Sequence, residues 1–330
     1  MITSPYKTNY DGKPRKIGIE IEFSGLTLQE IAEIIVSEIG GNVHFNGKYE
    51  CSIQDSSLSN YGDFKIELDA SLLRDGKIGK YLNQVGIENP KYMDSIEDFL
   101  SKTASEVVPM EIVTPPIPLS EINKIENIRE ALRKHAAKDT HSSVLNAFGL
   151  HLNPEVPSKD ASDIRDFLRS FIIMYEWLKD KLKVDTSRRL TPYIDPFPKK
   201  YAKLILNNDY NPDMSTLIDD YLSHNPTRNR PLDMLPFFTW MDEDRVLSVV
   251  DDGLTSSRPT FHYRLPNCEI ANPEWSITKE WNHWVVVERI AHSKEKLHKL
   301  SDEYLNWVEK PAETFIRKIG HSLSDMFNNE

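Results

Sequence analysis

Glutamate and histidine side chains fall in three segments that have the pattern of β-strands. Glu20 and Glu22 alternate with apolar residues in 17–23, so a strand there places both carboxylates on one face. Glu111 lies in a second such segment and His151 in a third. Carboxylates that converge on a sheet face repel one another unless a cation lies between them, and hard oxygen ligands select magnesium or manganese. Together these residues predict a divalent-metal site. Taken alone, two glutamates on a strand are also typical of a solvated strand face, and a single histidine is also typical of a hydrogen-bonded structural residue.

Arginines in two places are candidates for binding phosphate. Arg264 follows His262 by two positions in a late strand-like segment, 260–266, where a guanidinium can meet phosphate oxygens with two parallel hydrogen bonds. Arg188 and Arg189 follow a predicted helix. The alternatives are a surface ion pair for Arg264 and a helix-dipole interaction for the other two. Because the sequence contains no glycine-rich phosphate loop, a bound nucleotide would depend on metal and arginine to hold its phosphates.

Strands and helices alternate along the chain around these residues. Thr27 and Glu30 form a capping box at the start of a helix that Gly40 and Gly41 end. The other predicted elements are a pair of strands within 48–71 joined by 57–62, strands over 107–114, 147–153 and 260–266, a helix that begins at Ser120, and helices over 162–182 and 276–298.

The early strands are joined by connections too short for parallel crossovers, which favours an α+β fold over a doubly wound parallel one. We expect an antiparallel β-sheet with a carboxylate-lined face, packed by helices. Alternation in the last strand predicts that His262 and Arg264 face outward. The predicted regions are a flexible N-terminus at 1–16, a catalytic domain at 17–295 with a lid or subdomain excursion near 190–229, and a C-terminal helical extension at 296–330.

The composition restricts the class of protein. Fifty-one acidic residues against forty basic ones give a net charge of -11, which opposes binding to nucleic acid. The start of the chain has no apolar core of signal-peptide length, and no apolar run reaches the length of a membrane span. We therefore expect a cytoplasmic protein with no nucleic-acid or membrane partner. Cys51 and Cys268 have no CxxC partner and are expected to be reduced side chains.

Several short motifs, taken in order along the chain, resemble those of the amidoligase family. They are GIEIEF at 18–23, IELDASL at 66–72, EIVTPP at 111–116, GLHLN at 149–153 and FHYRLP at 261–266. The resemblance runs from about residue 17 to about residue 290, and its specificity comes from the order of the motifs. It implies a fold similar to glutamine synthetase and glutamate–cysteine ligase, in which an antiparallel sheet holds two divalent ions and ATP.

The resemblance also implies roles for individual residues. It implies metal binding by Glu20, Glu22, Glu111, His151 and His262, nucleotide binding by Glu20, Glu22 and Arg264, and catalytic roles for Arg264 and Asp69. Arg189 is a further catalytic candidate, from its position after the predicted helix and not from the resemblance. Two positions depart from the family pattern, since His262 stands where the family has a glutamate and Asn153 where it has a second histidine. A neutral imidazole binds magnesium less well than a carboxylate and favours manganese or zinc. The sequence therefore does not decide whether this chain keeps both metal sites of the family.

The activity that the resemblance implies is the joining of a carboxylate to an amine. ATP phosphorylates the carboxylate, with Mg²⁺ or Mn²⁺, and the amine attacks the acyl phosphate to form an amide. A glutamate, free or at the end of a peptide, is the candidate carboxylate, and the amine stays open. The alternatives are a guanidino kinase, a metal-dependent hydrolase that needs no ATP, and a binding module without catalysis. ATP dependence separates the ligase and the kinase from the other two.

Overall fold

The computed structural model describes residues 1–68, 110–136, 149–182, 195–250 and 255–308. The chain forms two compact units. The sheet unit consists of Ile17–His151 and Asn267–Ile277, and the helical unit consists of Met1–Lys16, Leu152–Pro266 and Thr278–Glu330.

An antiparallel sheet forms the centre of the sheet unit. Its described strands are β1 (Lys16–Phe23), β2 (Asn42–Phe45), β3 (Glu50–Gln54), β4 (Phe64–Leu68), β5 (Met110–Val113) and β6 (Ile117–Pro118). The spatial order is β2-β3-β4-β5-β1, and β6 pairs with β1. The predicted alternation is confirmed, because Ile21, Ile112 and Ile66 lie opposite one another across β1, β5 and β4 and are fully buried. The residues that alternate with them therefore share the other face.

One helix packs on these strands, and a second helix packs against the first. Helix α1 (Leu28–Ile39) packs on β3 and β4 and against helix α2 (Ile122–Ala136). The predicted capping box is present, since Thr27 Oγ1 accepts a hydrogen bond from the backbone N of Glu30 and Glu30 Oε2 accepts one from the backbone N of Thr27. The hydrogen bond from the Thr27 backbone is the largest of the causes that lower the pKa of Glu30. The start of α1 is thus set by local sequence, and its buried side by the sheet beneath it.

Gly41 connects α1 to β2 in a backbone conformation that favours glycine. Its φ is +105°, and a Cβ at this position would lie 2.5 Å from the carbonyl oxygen of Gln54. Gly41→Ala is therefore expected to lower the free energy of unfolding by about 1–3 kcal/mol, as measured by urea denaturation. Gly40→Ala is the matched control, because Gly40 has a φ of +71° but no atom within 4 Å of its Cβ position. Equal losses in the two variants would show that the contact with Gln54 contributes nothing.

The helical unit packs helices against three short strand segments. Its described elements are β7 (Leu150–Pro154, which begins in the sheet unit), β8 (Leu232–Asp233), β9 (His262–Tyr263), α3 (Ala161–Lys181), α4 (Lys199–Leu206), α5 (Met214–His224), α6 (Leu235–Met241), α7 (Glu243–Leu247), α8 (Ile277–His292) and α9 (Lys294–Trp307). Strand β9 pairs antiparallel with both β7 and β8. Helix α3 packs against α4, α5 and α9. The core of the helical unit contains the aromatic rings of Phe167, Phe171, Tyr263 and Trp284.

Two predictions for this unit are wrong in detail. The late strand is only two residues long, and His262 and Arg264 are buried instead of facing outward, because both faces of this segment are covered and Tyr263, on the opposite face, is buried as well. The helix predicted over 276–298 is two helices, α8 and α9. Ser293 separates them with φ −95° and ψ 89°, which is outside the helical range.

Residues 1–16 pack within the helical unit, where the side chains of Ser4 and Arg15 are buried. The described part of the predicted excursion, 195–229, contains α4 and α5. The predicted domain limits stay a prediction. The antiparallel strands packed by helices confirm the predicted α+β class. No helix in the described ranges is long and apolar enough to cross a membrane.

Candidate metal centre

A row of four glutamates crosses four adjacent strands of the sheet unit. Glu22 on β1 is directly opposite Glu111 on β5, Glu111 is opposite Glu67 on β4, and Glu67 is opposite Glu50 on β3. Residues opposite each other in antiparallel strands have Cβ atoms about 4.5–5.5 Å apart, and like charges at this spacing destabilise a sheet. The row therefore needs positive charge along its length.

Lys65 supplies that charge at the outer end of the row. Its Nζ lies 2.8 Å from Glu67 Oε2 and 3.5 Å from Glu50 Oε2. Burial alone would lower the pKa of Lys65, but the hydrogen bond to Glu67 and the charges of both carboxylates outweigh it and raise that pKa. The alternation in the sequence predicts that Lys65 and Glu67 share one strand face, but it gave Lys65 no role in the site.

His151 lies at the inner end of the row, between two carboxylates. Its Nδ1 is 2.8 Å from Glu20 Oε2, and its Nε2 is 3.3 Å from Glu22 Oε1. The backbone N of Gly149 donates to Glu22 Oε2 at 2.9 Å, which fixes the other oxygen of that carboxylate. The contact of Nδ1 with Glu20 is the shorter of the two, and in the tautomer with the ring proton on Nδ1 this nitrogen donates to Glu20 while Nε2 faces Glu22.

Glu22, Glu111 and His151 together form a group that can hold a metal ion. Each offers one ligand atom, and these atoms all lie within 4.8 Å of one another. With the ring proton on Nδ1, the lone pair of Nε2 points at the carboxylate of Glu22, and the two repel each other. A cation shared between them, or a second ring proton, would relieve this repulsion. Glu20 lies on the Nδ1 side of His151, where a carboxylate would orient the imidazole if Nε2 bound an ion. Two carboxylates and one imidazole are a donor set that suits manganese, and magnesium less strongly.

The helical unit contains the other predicted site residues in the described part of the chain. His262 Nδ1 lies 3.5 Å from Asp233 Oδ2, and Asp233 is directly opposite His262 in the β8–β9 pair. The Nη1 of Arg264 donates to the backbone carbonyl of Arg228 at 2.8 Å. Asp233 was missed by the sequence interpretation, because a two-residue strand carries no alternating pattern that would identify it.

The positions that the sequence analysis singled out have different outcomes. Asn153, which replaces a family histidine, is buried and accepts a hydrogen bond at 3.1 Å from Nη2 of Arg258, a second residue that the sequence interpretation missed. Asp69, Arg188 and Arg189 lie outside the described residues. Both cysteines are free, as predicted, and both are buried; burial raises the pKa of Cys51 to about 11.

Comparison with known proteins gives one match. The family model described as "Putative amidoligase enzyme" matches residues 13–286. Neither a comparison with curated proteins nor one with solved structures gave a match.

Proposed function

The chain belongs to the amidoligase family, and from this premise we propose that it is an ATP- and divalent-metal-dependent ligase that joins a carboxylate to an amine through an acyl phosphate. One observation carries the proposal beyond the family assignment. Glu22, Glu111 and His151, drawn from three separate sequence segments, present ligand atoms within 4.8 Å of one another. A family of ligases and a cluster of hard donors together favour a reaction in which phosphate charge must be neutralised.

Within the sheet unit, each residue of the candidate centre has a distinct proposed role. Glu22, Glu111 and Nε2 of His151 would hold the ion, and Glu20 would fix the orientation of the imidazole through Nδ1. The bound ion, Mg²⁺ or Mn²⁺, would neutralise charge on the phosphates of ATP. Lys65 would neutralise the charges of Glu67 and Glu50, so that only Glu22 and Glu111 need a metal ion to neutralise them.

Within the helical unit, Arg264 is the proposed source of positive charge for the transferred phosphoryl group. Its guanidinium is held by the hydrogen bond to the Arg228 carbonyl, which orders a long side chain before any ligand binds. Asp69 keeps the catalytic role that the family resemblance implies, and Arg189 stays a catalytic candidate from its position in the sequence.

The proposed reaction has two steps. A carboxylate oxygen of the substrate attacks the γ-phosphorus of ATP, and ADP leaves. The amine nitrogen then attacks the carbonyl carbon of the acyl phosphate, phosphate leaves, and the amine loses a proton to a base. An acyl phosphate hydrolyses when water reaches it, so the protein must cover it, and the excursion at 190–229 is the proposed cover. A glutamate, free or at a peptide end, is the proposed carboxylate.

We expect the protein to convert glutamate and hydroxylamine to a hydroxamate in the presence of ATP and Mn²⁺, with one ADP and one phosphate released per product. Hydroxylamine replaces the unidentified amine because it attacks acyl phosphates directly, and a peptide with a C-terminal glutamate is tested in parallel. The hydroxamate assay succeeds only if the carboxylate is a substrate, whereas ATP binding can be measured without one. Calorimetric titration of ATP with magnesium, with manganese and without metal is therefore run first.

Each outcome separates the proposed ligase from its alternatives. Metal-dependent ATP binding followed by hydroxamate supports the ligase. ATP consumption that yields a stable phosphorylated amine indicates a guanidino kinase. No ATP binding under any condition contradicts the proposal and favours the hydrolase or the binding module.

A further inference from the structure

Asp233 is a buried carboxylate with an incomplete set of hydrogen bonds. The residue is only 1% exposed. Its Oδ1 accepts a hydrogen bond from the backbone N of Leu235 at 2.9 Å, at the start of α6. Its Oδ2 is buried and accepts no hydrogen bond from the described residues. Burying a carboxylate oxygen without a hydrogen bond costs free energy of folding, so Oδ2 needs a hydrogen-bond donor or a positive charge opposite it.

The group opposite Oδ2 is the imidazole of His262. The two residues face each other in the β8–β9 register, and Nδ1 of His262 lies 3.5 Å from Oδ2. This separation is longer than a hydrogen bond, but both side chains are held on paired strands and both are buried. A shift of about half an ångström would bring Nδ1–H into hydrogen-bonding distance of Oδ2, and ring–carboxylate contacts commonly tighten when a ligand binds.

We propose that Asp233 is a positioning residue that holds His262 in the tautomer with the proton on Nδ1, so that Nε2 is presented as a ligand for a divalent ion. This inference rests on the proposed function. A carboxylate behind an imidazole fixes the tautomer, orients the ring and makes the ligand nitrogen more basic. It also adds a negative charge next to a neutral ligand, which a hard cation favours.

The same arrangement is present in the sheet unit, where the geometry is tighter. There Glu20 Oε2 accepts from Nδ1 of His151 at 2.8 Å, and Nε2 faces Glu22. His151 and His262 are thus both imidazoles that have a carboxylate on the Nδ1 side. In both of these rings, Nε2 is the nitrogen on the side away from the carboxylate at Nδ1.

Asp233→Asn is the test variant, because asparagine keeps the size of the side chain and an oxygen to accept from Leu235. We expect it to weaken Mn²⁺ binding, measured by calorimetry on the full chain, by about 10–100-fold. Asp220→Asn is the matched control, since Asp220 also accepts a hydrogen bond, from Tyr210 Oη at 2.6 Å, while the nearby His224 contacts the backbone oxygen of Asp220, which the substitution keeps. In a His262→Ala background, Asp233→Asn should have no further effect on Mn²⁺ affinity.

Nitrogen NMR of the ring gives a readout that does not depend on bound metal or on activity. In the metal-free wild type, His262 is expected to show a protonated Nδ1 and an unprotonated Nε2, and this preference should be lost in Asp233→Asn. Comparison with His262→Ala assigns the signal among the ten histidines. Since the wild type carries this readout as well, a variant that fails to fold does not prevent the test.

The outcomes distinguish this inference from the proposed function. If Glu111→Gln abolishes Mn²⁺ binding while Asp233→Asn binds Mn²⁺ like the wild type, the role of Asp233 is overturned and the metal centre of the sheet unit stands. A wild-type ring with its proton on Nε2 also overturns the inference. If the wild type binds no Mn²⁺ at all, the proposed function and the ligand role of His262 both fail.

Discussion

Glu111→Gln is expected to lower Mn²⁺-dependent turnover of ATP by at least about 100-fold, because it removes a charged ligand from the group that would neutralise the phosphates. The fold should be unaffected. Glu111 lies between Glu22 and Glu67 in the cross-strand row, so the substitution relieves two repulsions between like charges. Initial rates of ADP release measure the first effect, and the thermal unfolding midpoint, expected to stay equal or to rise, measures the second.

Glu50→Gln is the matched control for this prediction. Glu50 belongs to the same row of the same sheet, but it lies at the outer end, beside the ammonium group of Lys65. The control should leave turnover within about 2-fold of the wild type, since exposed ion pairs contribute little. Comparable losses in both variants would argue against a metal ion at the inner end. Unfolding of the Glu111 variant would indicate a structural ion pair in place of a metal centre.

Glu288→Leu is expected to lower the free energy of unfolding by about 3–5 kcal/mol, because it leaves the guanidinium of Arg15 buried without its partner. Glu288 is fully buried, and its Oε1 lies 2.6 Å from Nη1 of Arg15. The same carboxylate accepts hydrogen bonds from Ser4 Oγ at 2.5 Å and from Trp284 Nε1 at 2.7 Å. The loss is measured by urea denaturation followed by tryptophan fluorescence.

A double variant and an exposed ion pair complete the stability experiment. Arg15→Met combined with Glu288→Leu should regain much of the lost stability, since it removes both buried charges. Asp219→Asn removes the carboxylate of the exposed Arg245–Asp219 pair, 2.7 Å between nearest atoms, and should cost less than about 1 kcal/mol. If Glu288→Leu costs no more than Asp219→Asn, residues 1–16 do not depend on this contact for their packing.

Local patterns were sufficient for several elements of the fold. Strict alternation in 17–23 correctly predicted a strand with Glu20 and Glu22 on one face and apolar residues on the other. The Thr27 capping box and Gly40 correctly predicted both ends of α1. These features depend on neighbours within a few positions in sequence, where strand and helix periods act directly. The late strand failed as a prediction because β9 is buried on both sides, so alternation no longer reports which side chains face solvent.

The sequence by itself determined the α+β class, the family and the candidate ligands Glu22, Glu111 and His151. It did so through composition, strand periodicity and the order of its short motifs. Only the tertiary structure decided how those ligands are arranged. The pairing register places Glu111 opposite both Glu22 and Glu67, and it brings His151 to Glu20 across 131 positions of sequence. Asp233 and the Arg15–Glu288 pair likewise acquire their roles from contacts between distant segments. Such contacts depend on strand register and side-chain packing, which a local sequence pattern does not specify.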